Sequence, residues 1–102
     1  MNGEARALVL DPRDNVATLL ENATAGTLIM LSGRDGSLTA TESVPYGHKI
    51  SLVPIADGND IIKYGQRIGI AVRDIATGSH VHLDAMRSAV DPTFRQRIDG
   101  RS

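Results

Sequence analysis

All three histidines and both lysines of the chain fall between residues 48 and 82, in the runs Gly47-His48-Lys49, Lys63-Tyr64-Gly65 and His80-Val81-His82. Imidazole is the side chain whose charge changes near neutral pH, so it serves as acid, base or metal ligand. Residues two apart on a strand share a face. A strand through 80–84 therefore projects His80 and His82 together, sends Val81 and Leu83 to the core, and continues the polar face with Asp84. Two imidazoles and a carboxylate at that spacing suit a divalent metal (His80, His82, Asp84) or acid/base work. His48 adds a third imidazole if the turns converge. Lys49 and Lys63 offer cations for a substrate carboxylate. The plainer readings stand beside these: the His pair as the solvent face of an edge strand, His48 as a turn residue, and the lysines as solvated charges. Asp57, Asp60 and Asp74 read as turn formers and caps.

Short strands separated by turns must position these groups. Ala7-Leu8-Val9-Leu10 is an apolar run stopped by Asp11-Pro12 and reads as a buried strand. Val16, Leu19, Leu20 and Ala23 recur at helical spacing behind Asp14 or Asn15 as cap, which predicts one short helix near the N-terminus. Thr27 to Leu31 and Leu38 to Thr41 flank Ser32-Gly33-Arg34-Asp35-Gly36 as a hairpin. Lys49 to Pro54 alternates, with Ile50 and Leu52 on one face and Lys49 and Ser51 on the other. Ile61-Ile62 and Ile68 to Val72 are compact apolar pieces separated by the turn at Tyr64-Gly65. A theme of alanine, one residue, glycine, two residues and an aliphatic recurs at Ile55–Ile61 and Ile75–Val81, and Ala23–Ile29 resembles it with Thr24 in place of the alanine. Each copy is a tight glycine turn feeding a strand, and together they predict a pseudo-symmetric pair of β-units. Residues 1–90 read as one mostly β domain and 91–102 as a polar C-terminal tail.

Composition removes whole classes of function. The 102 residues contain no cysteine, which excludes a disulfide scaffold and a thiolate site. Formal net charge is −1, so a broad nucleic-acid or membrane-surface footprint is not expected. Aromatics are 3%, too few for base-stacking platforms, and the core must be Val, Ile, Leu and Ala. No run of about 18 apolar residues is present and the start carries no basic-then-apolar leader, so a cytoplasmic protein is expected.

Three ordered motifs carry a family resemblance. Val44-Pro45-Tyr46-Gly47-His48-Lys49-Ile50-Ser51-Leu52 resembles a P-x-G-H-K-hydrophobic motif. Ile61-Ile62-Lys63-Tyr64-Gly65-Gln66-Arg67-Ile68-Gly69 is similar to V-I-K-Y-G-x-x-I-G. Asp74-Ile75-Ala76-Thr77-Gly78-Ser79-His80-Val81-His82 is similar to D-I-A-x-G-x-H-V-H. With the opening Leu10-Asp11-Pro12-Arg13-Asp14-Asn15-Val16-Ala17, residues 7–84 resemble the small SAF-type domain of the altronate/galactarate dehydratase family. That family includes sulfolactate sulfo-lyase, whose small subunit is a separate chain of about this size.

The resemblance implies a β-clip fold related to type III antifreeze domains. It also implies a larger catalytic subunit, and a sugar-acid or related hydroxy-acid substrate that loses water or sulfite. The implied cofactor is a divalent metal, iron or manganese, shared with that subunit. His48, Lys49, Lys63, Tyr64, His80 and His82 match the motifs, giving three catalytic imidazoles and a substrate-binding set of Lys49, Lys63 and Tyr64. One position departs: the family often closes H-V-H-x-H-N, whereas His82 here is followed by Leu83-Asp84-Ala85, which puts Asp84 where a histidine would stand. The alternative is a non-catalytic SAF-type module for carbohydrate binding or assembly. Open edge strands also predict a homo-oligomer of the isolated chain.

Overall fold

The computed structural model of the chain describes residues 3–88. The expected polar tail at 91–102 lies outside the described residues. Eight strands form among the described residues: β1 (Glu4–Leu8), β2 (Val16–Leu19), β3 (Leu28–Ser32), β4 (Ser37–Thr39), β5 (Lys49–Ser51), β6 (Asp60–Lys63), β7 (Gln66–Ala71) and β8 (Met86–Ser88). Five make one sheet in the order β4-β3-β1-β2-β5, and β6-β7-β8 make a second. This is the mostly β, β-clip architecture expected from the motifs. The predicted hairpin forms as β3–β4, and the apolar pieces on either side of Tyr64-Gly65 pair as β6–β7. No helix of the described residues is long and apolar enough to cross a membrane.

The predicted short helix does not form. Val16 to Leu19 is β2, which pairs antiparallel with β1 on one side and β5 on the other. Two sheet partners outweigh a helical stripe only two turns long, and β-branched Val16 and Thr18 suit the strand. The would-be cap is a knot instead. The buried Asp14 carboxylate accepts the N–H groups of Leu10, Asp11 and Gly65, the last at 2.7 Å. Asn15 accepts from Ile62 N–H and donates to the Asp60 carbonyl. Both residues therefore clamp the β6–β7 hairpin to the end of β1.

The aliphatic core divides into two clusters, with β2 feeding both. Ala17 and Leu19 pack with Ala5, Ala7, Ile29, Val44 and Ile50. Val16 packs with Ile55, Ile61, Ile75, Val81 and Ala85. Between them the repeated glycine turn does the folding, and it occurs four times rather than three. Thr27, His48, Asn59 and Ser79 each donate their N–H to the carbonyl three residues back, at 3.0–3.2 Å. The glycine before each donor, Gly26, Gly47, Gly58 or Gly78, has φ of 81–89°. That left-handed position is the third residue of the turn, where glycine avoids the Cβ penalty. Backbone bridges join the copies in pairs, Ala23 with Val44 and Ile55 with Ile75. The copy missed in the repeat is Val44-Pro45-Tyr46-Gly47, because it contains no alanine.

Candidate functional site

Two of the four turns carry the histidines. Gly47 turns the chain into β5 with His48 as the next residue, and Gly78 delivers Ser79 and His80. The two segments then bind each other directly. Ser51 N–H donates to the Ser79 carbonyl, Gly78 N–H to the Ser51 carbonyl and Val81 N–H to the Lys49 carbonyl, at 2.9–3.0 Å. Ser51 completes the lock. Its fully buried hydroxyl donates to the Ala76 carbonyl and accepts the Ser79 N–H at 3.2 Å. The expected alternation thus fails at this residue: Ile50 and Ser51 are both buried, because each face of β5 meets protein. Replacing Ser51 with alanine deletes the hydroxyl that joins the Ala76 carbonyl to the Ser79 N–H; that N–H keeps its own bond to the Ala76 carbonyl, so we expect a loss of about 0.5–1.5 kcal/mol. Thermal unfolding would show it as a drop of roughly 2–12 °C.

The result is one imidazole cluster. Nδ1 of His48 lies 2.9 Å from Nε2 of His80. The rings of His80 and His82 stand with centroids 3.9 Å apart. His48, Lys49, His80 and His82 line an open depression of about 490 Å³. Burial, and then the neighbouring imidazoles of His82 and His48, push the His80 pKa below its ordinary 6.5. Its ring is therefore neutral at pH 7, the form that accepts a proton or ligates a cation. The Lys49 ammonium is also pulled below its ordinary value, first by burial and then by the charge of Lys63.

Lys63 and Tyr64 sit beside the depression rather than in its wall. Tyr64 holds φ of 56°, and with Gly65 at 77° it forms a two-residue hairpin turn with both residues left-handed. An aromatic residue rarely adopts that conformation. Its hydroxyl is 3.1 Å from the Thr18 Oγ1, and Thr18 is the register partner of Lys49. Lys63 places its Nζ 5.2 Å from the Tyr64 ring centroid. Thr18 thus ties the lysine–tyrosine turn to the imidazole rim.

One expectation at this site needs correction. Leu83 does not enter the core; it is 82% exposed. The strand geometry ends after the Ile50–His80 bridge, a 3-10 turn spans Leu83–Ala85, and Ala85 takes the core position instead. Asp84 lines the same depression as His80 and His82. Its carboxylate lies 3.2 Å from the Arg73 guanidinium. Among the described residues no three His, Asp or Glu side chains gather as a metal-holding set. Sequence reasoning also missed Glu42, which accepts the His80 N–H at 3.2 Å and stands 3.5 Å from Nε2 of His82. It sits 38 and 40 residues away on another loop, so no spacing signal exists.

Comparison with known proteins matches residues 5–89 to the altronate/galactarate dehydratase SAF domain. The chain is 41% identical over 75 residues to the altronate dehydratase of Escherichia coli (strain K12), covering 74% of this chain but 15% of that protein. It is 44% identical over 48 residues to the (2R)-sulfolactate sulfo-lyase subunit alpha of Paracoccus pantotrophus, 47% of this chain and 72% of the subunit. The corresponding subunit of Chromohalobacter salexigens is 29% identical over 86 residues and 92% covered. The chain therefore spans a small fraction of the dehydratases it matches and most of the length of the lyase subunits. With the three motifs folded onto one rim and the match running through all of them, this chain belongs to the SAF-domain family of the altronate and galactarate dehydratases.

Proposed function

We propose that the chain is the small, accessory part of a lyase that eliminates water, or an equivalent leaving group, from a hydroxylated carboxylate, and that it is inactive alone. The observation that carries this reading is the meeting of His48 with the His80–His82 pair, 32 residues apart, on an open rim. In such an elimination an imidazole takes the proton α to the carboxylate, and the electron pair closes to a C=C bond. The β C–O bond breaks, and hydroxide leaves as water with a proton from an acid. The resulting enol then rearranges to the keto acid. His80, neutral at pH 7, is the base candidate, with His48 and His82 to relay protons. Lys49, Lys63 and Tyr64 offset the carboxylate charge.

The family resemblance implies a divalent metal, and part of this rim suits one. His48 and His80 would hold it, since Nδ1 of one and Nε2 of the other lie within hydrogen-bond reach at 2.9 Å. His82 and Asp84 line the same depression, with the Asp84 carboxylate 3.2 Å from the Arg73 guanidinium. When bound, such a cation would hold the substrate's carboxylate and hydroxyl and stabilise the enediolate charge. The remaining coordination positions fall to substrate and to the larger partner.

Mixing the chain with a large dehydratase-type chain and supplying hydroxy-acids with ferrous or manganous ion tests the reading. Keto-acid formation is expected only in the mixture. Turnover by the isolated chain, or by the large chain with no gain from this one, overturns it. On this reading the partner covers Leu83, which is exposed and lines the same depression as the imidazoles. Burying one leucine stabilises an interface by about 1.5–3 kcal/mol. Leu83→Asp is expected to weaken assembly by roughly 10–100-fold, read by gel filtration or calorimetry, with the chain's own unfolding temperature unchanged.

A further inference from the structure

Glu42 is the carboxylate that reaches the imidazole cluster, and none of the motifs contains it. It follows Thr41, which is itself tied to the histidine loop: Thr41 N–H and its hydroxyl both donate to the Gly78 carbonyl, at 2.9 and 3.1 Å. Glu42 extends that seam by one residue. One carboxylate oxygen accepts the His80 N–H at 3.2 Å. The other stands 3.5 Å from Nε2 of His82, an ion-pair distance that a small ring rotation closes to a hydrogen bond. Its position relative to the depression decides what the contact does. His80 and His82 form a wall between two hollows, one lined by His48 and Lys49 and the other by Glu42 and Arg73. Glu42 therefore approaches His82 from behind. In a neutral imidazole one nitrogen carries the proton and the other the lone pair, and the partner of one nitrogen sets the role of the other.

We propose that Glu42 is a positioning residue of the imidazole rim: it anchors the His80 backbone and draws the Nε2–H of His82 toward itself. Nδ1 of His82 is thereby left as the lone-pair nitrogen that serves the depression. The assignment builds on the proposed lyase function for its consequence, but the tautomer is a property of this chain alone.

Long-range proton–nitrogen correlation spectra of the ¹⁵N-labelled chain at pH 8 read it directly. His82 is expected as the Nε2–H tautomer. Glu42→Ala is expected to bring in the Nδ1–H form, while Glu42→Gln, which keeps an acceptor oxygen, retains the wild-type tautomer. In the reconstituted enzyme Glu42→Ala should lower kcat by about 10-fold or more with KM within about twofold, and Glu42→Gln should recover most of the loss. An Nδ1–H form of His82 in the wild-type chain overturns the proposal, and that single spectrum decides the matter even if the alanine variant fails to fold. Identical tautomer populations in wild type and Glu42→Ala overturn it as well. Failure of the lyase reading would look different, with no turnover in any mixture and the tautomer result intact.

Discussion

His80→Ala in the reconstituted assembly is expected to reduce turnover by about 10²–10⁴-fold, the range spanned by general acid–base groups. The same variant should keep the chain folded. The fold uses the His80 backbone, which bridges Ile50 and donates to Glu42. The site uses its ring, which touches both other imidazoles and whose pKa is displaced downward. Removing it separates His48 from His82 and deletes one edge of the two-nitrogen pair. His82→Ala should cost less, because its ring meets one other imidazole where the His80 ring meets two. Asp84→Asn should lower turnover less than His80→Ala, because the Asp84 carboxylate lines the depression but is shared with Arg73, and it should barely move stability, since an exposed ion pair is worth about 0–1 kcal/mol. Turnover measured for the three variants beside their unfolding temperatures checks the order. A His80→Ala assembly as active as wild type would remove the imidazole rim from the chemistry.

The fold was legible where side-chain pattern and turn chemistry agree. The β3–β4 and β6–β7 hairpins follow from apolar runs flanking glycine turns, and the aliphatic core follows from an almost complete lack of aromatics. It was not legible at Val16–Leu19, where a four-residue strand with a partner on each side shows no alternation. Both faces are buried, so Val16, Ala17 and Leu19 satisfy a helical stripe as well as a strand. Leu83 misled for the opposite reason. Strand alternation sends it inward, but the 3-10 turn that begins there is set by Ala85 filling the second core. At the site, residue types and motifs marked all three histidines and both lysines. What they lacked was reach: Glu42, Thr18 and Ser51 act on the site through contacts 25 to 46 residues distant in sequence.

The largest stability effect is expected where fold and site share an atom, at Gly78. Gly58 is the control, since it occupies the same turn with φ of 89° against 83° at Gly78. Alanine at either position enters the left-handed region, which costs about 1–2 kcal/mol. At Gly58 the cost stops there, because nothing lies within 4 Å of an added Cβ. At Gly78 the added Cβ would overlap the Thr39 carbonyl oxygen and press on the Thr41 methyl. Backing away means breaking the Gly78 N–H bond to Ser51 or the Thr41 bonds to the Gly78 carbonyl. Adding one or two lost backbone bonds at about 1 kcal/mol each gives a total near 2–4 kcal/mol, a large share of the roughly 5–15 kcal/mol that holds a domain together. Chemical denaturation of both variants should therefore separate them by about 1–2 kcal/mol. The displaced turn also carries His80, two residues on, away from His48. Gly78→Ala assayed at low temperature, still folded, should consequently lose turnover almost as His80→Ala does, while Gly58→Ala stays near wild type. Equal stabilities for the two glycine variants would mean that the turn can slide without cost, and that the 2.9 Å contact between His48 and His80 is not fixed by the fold.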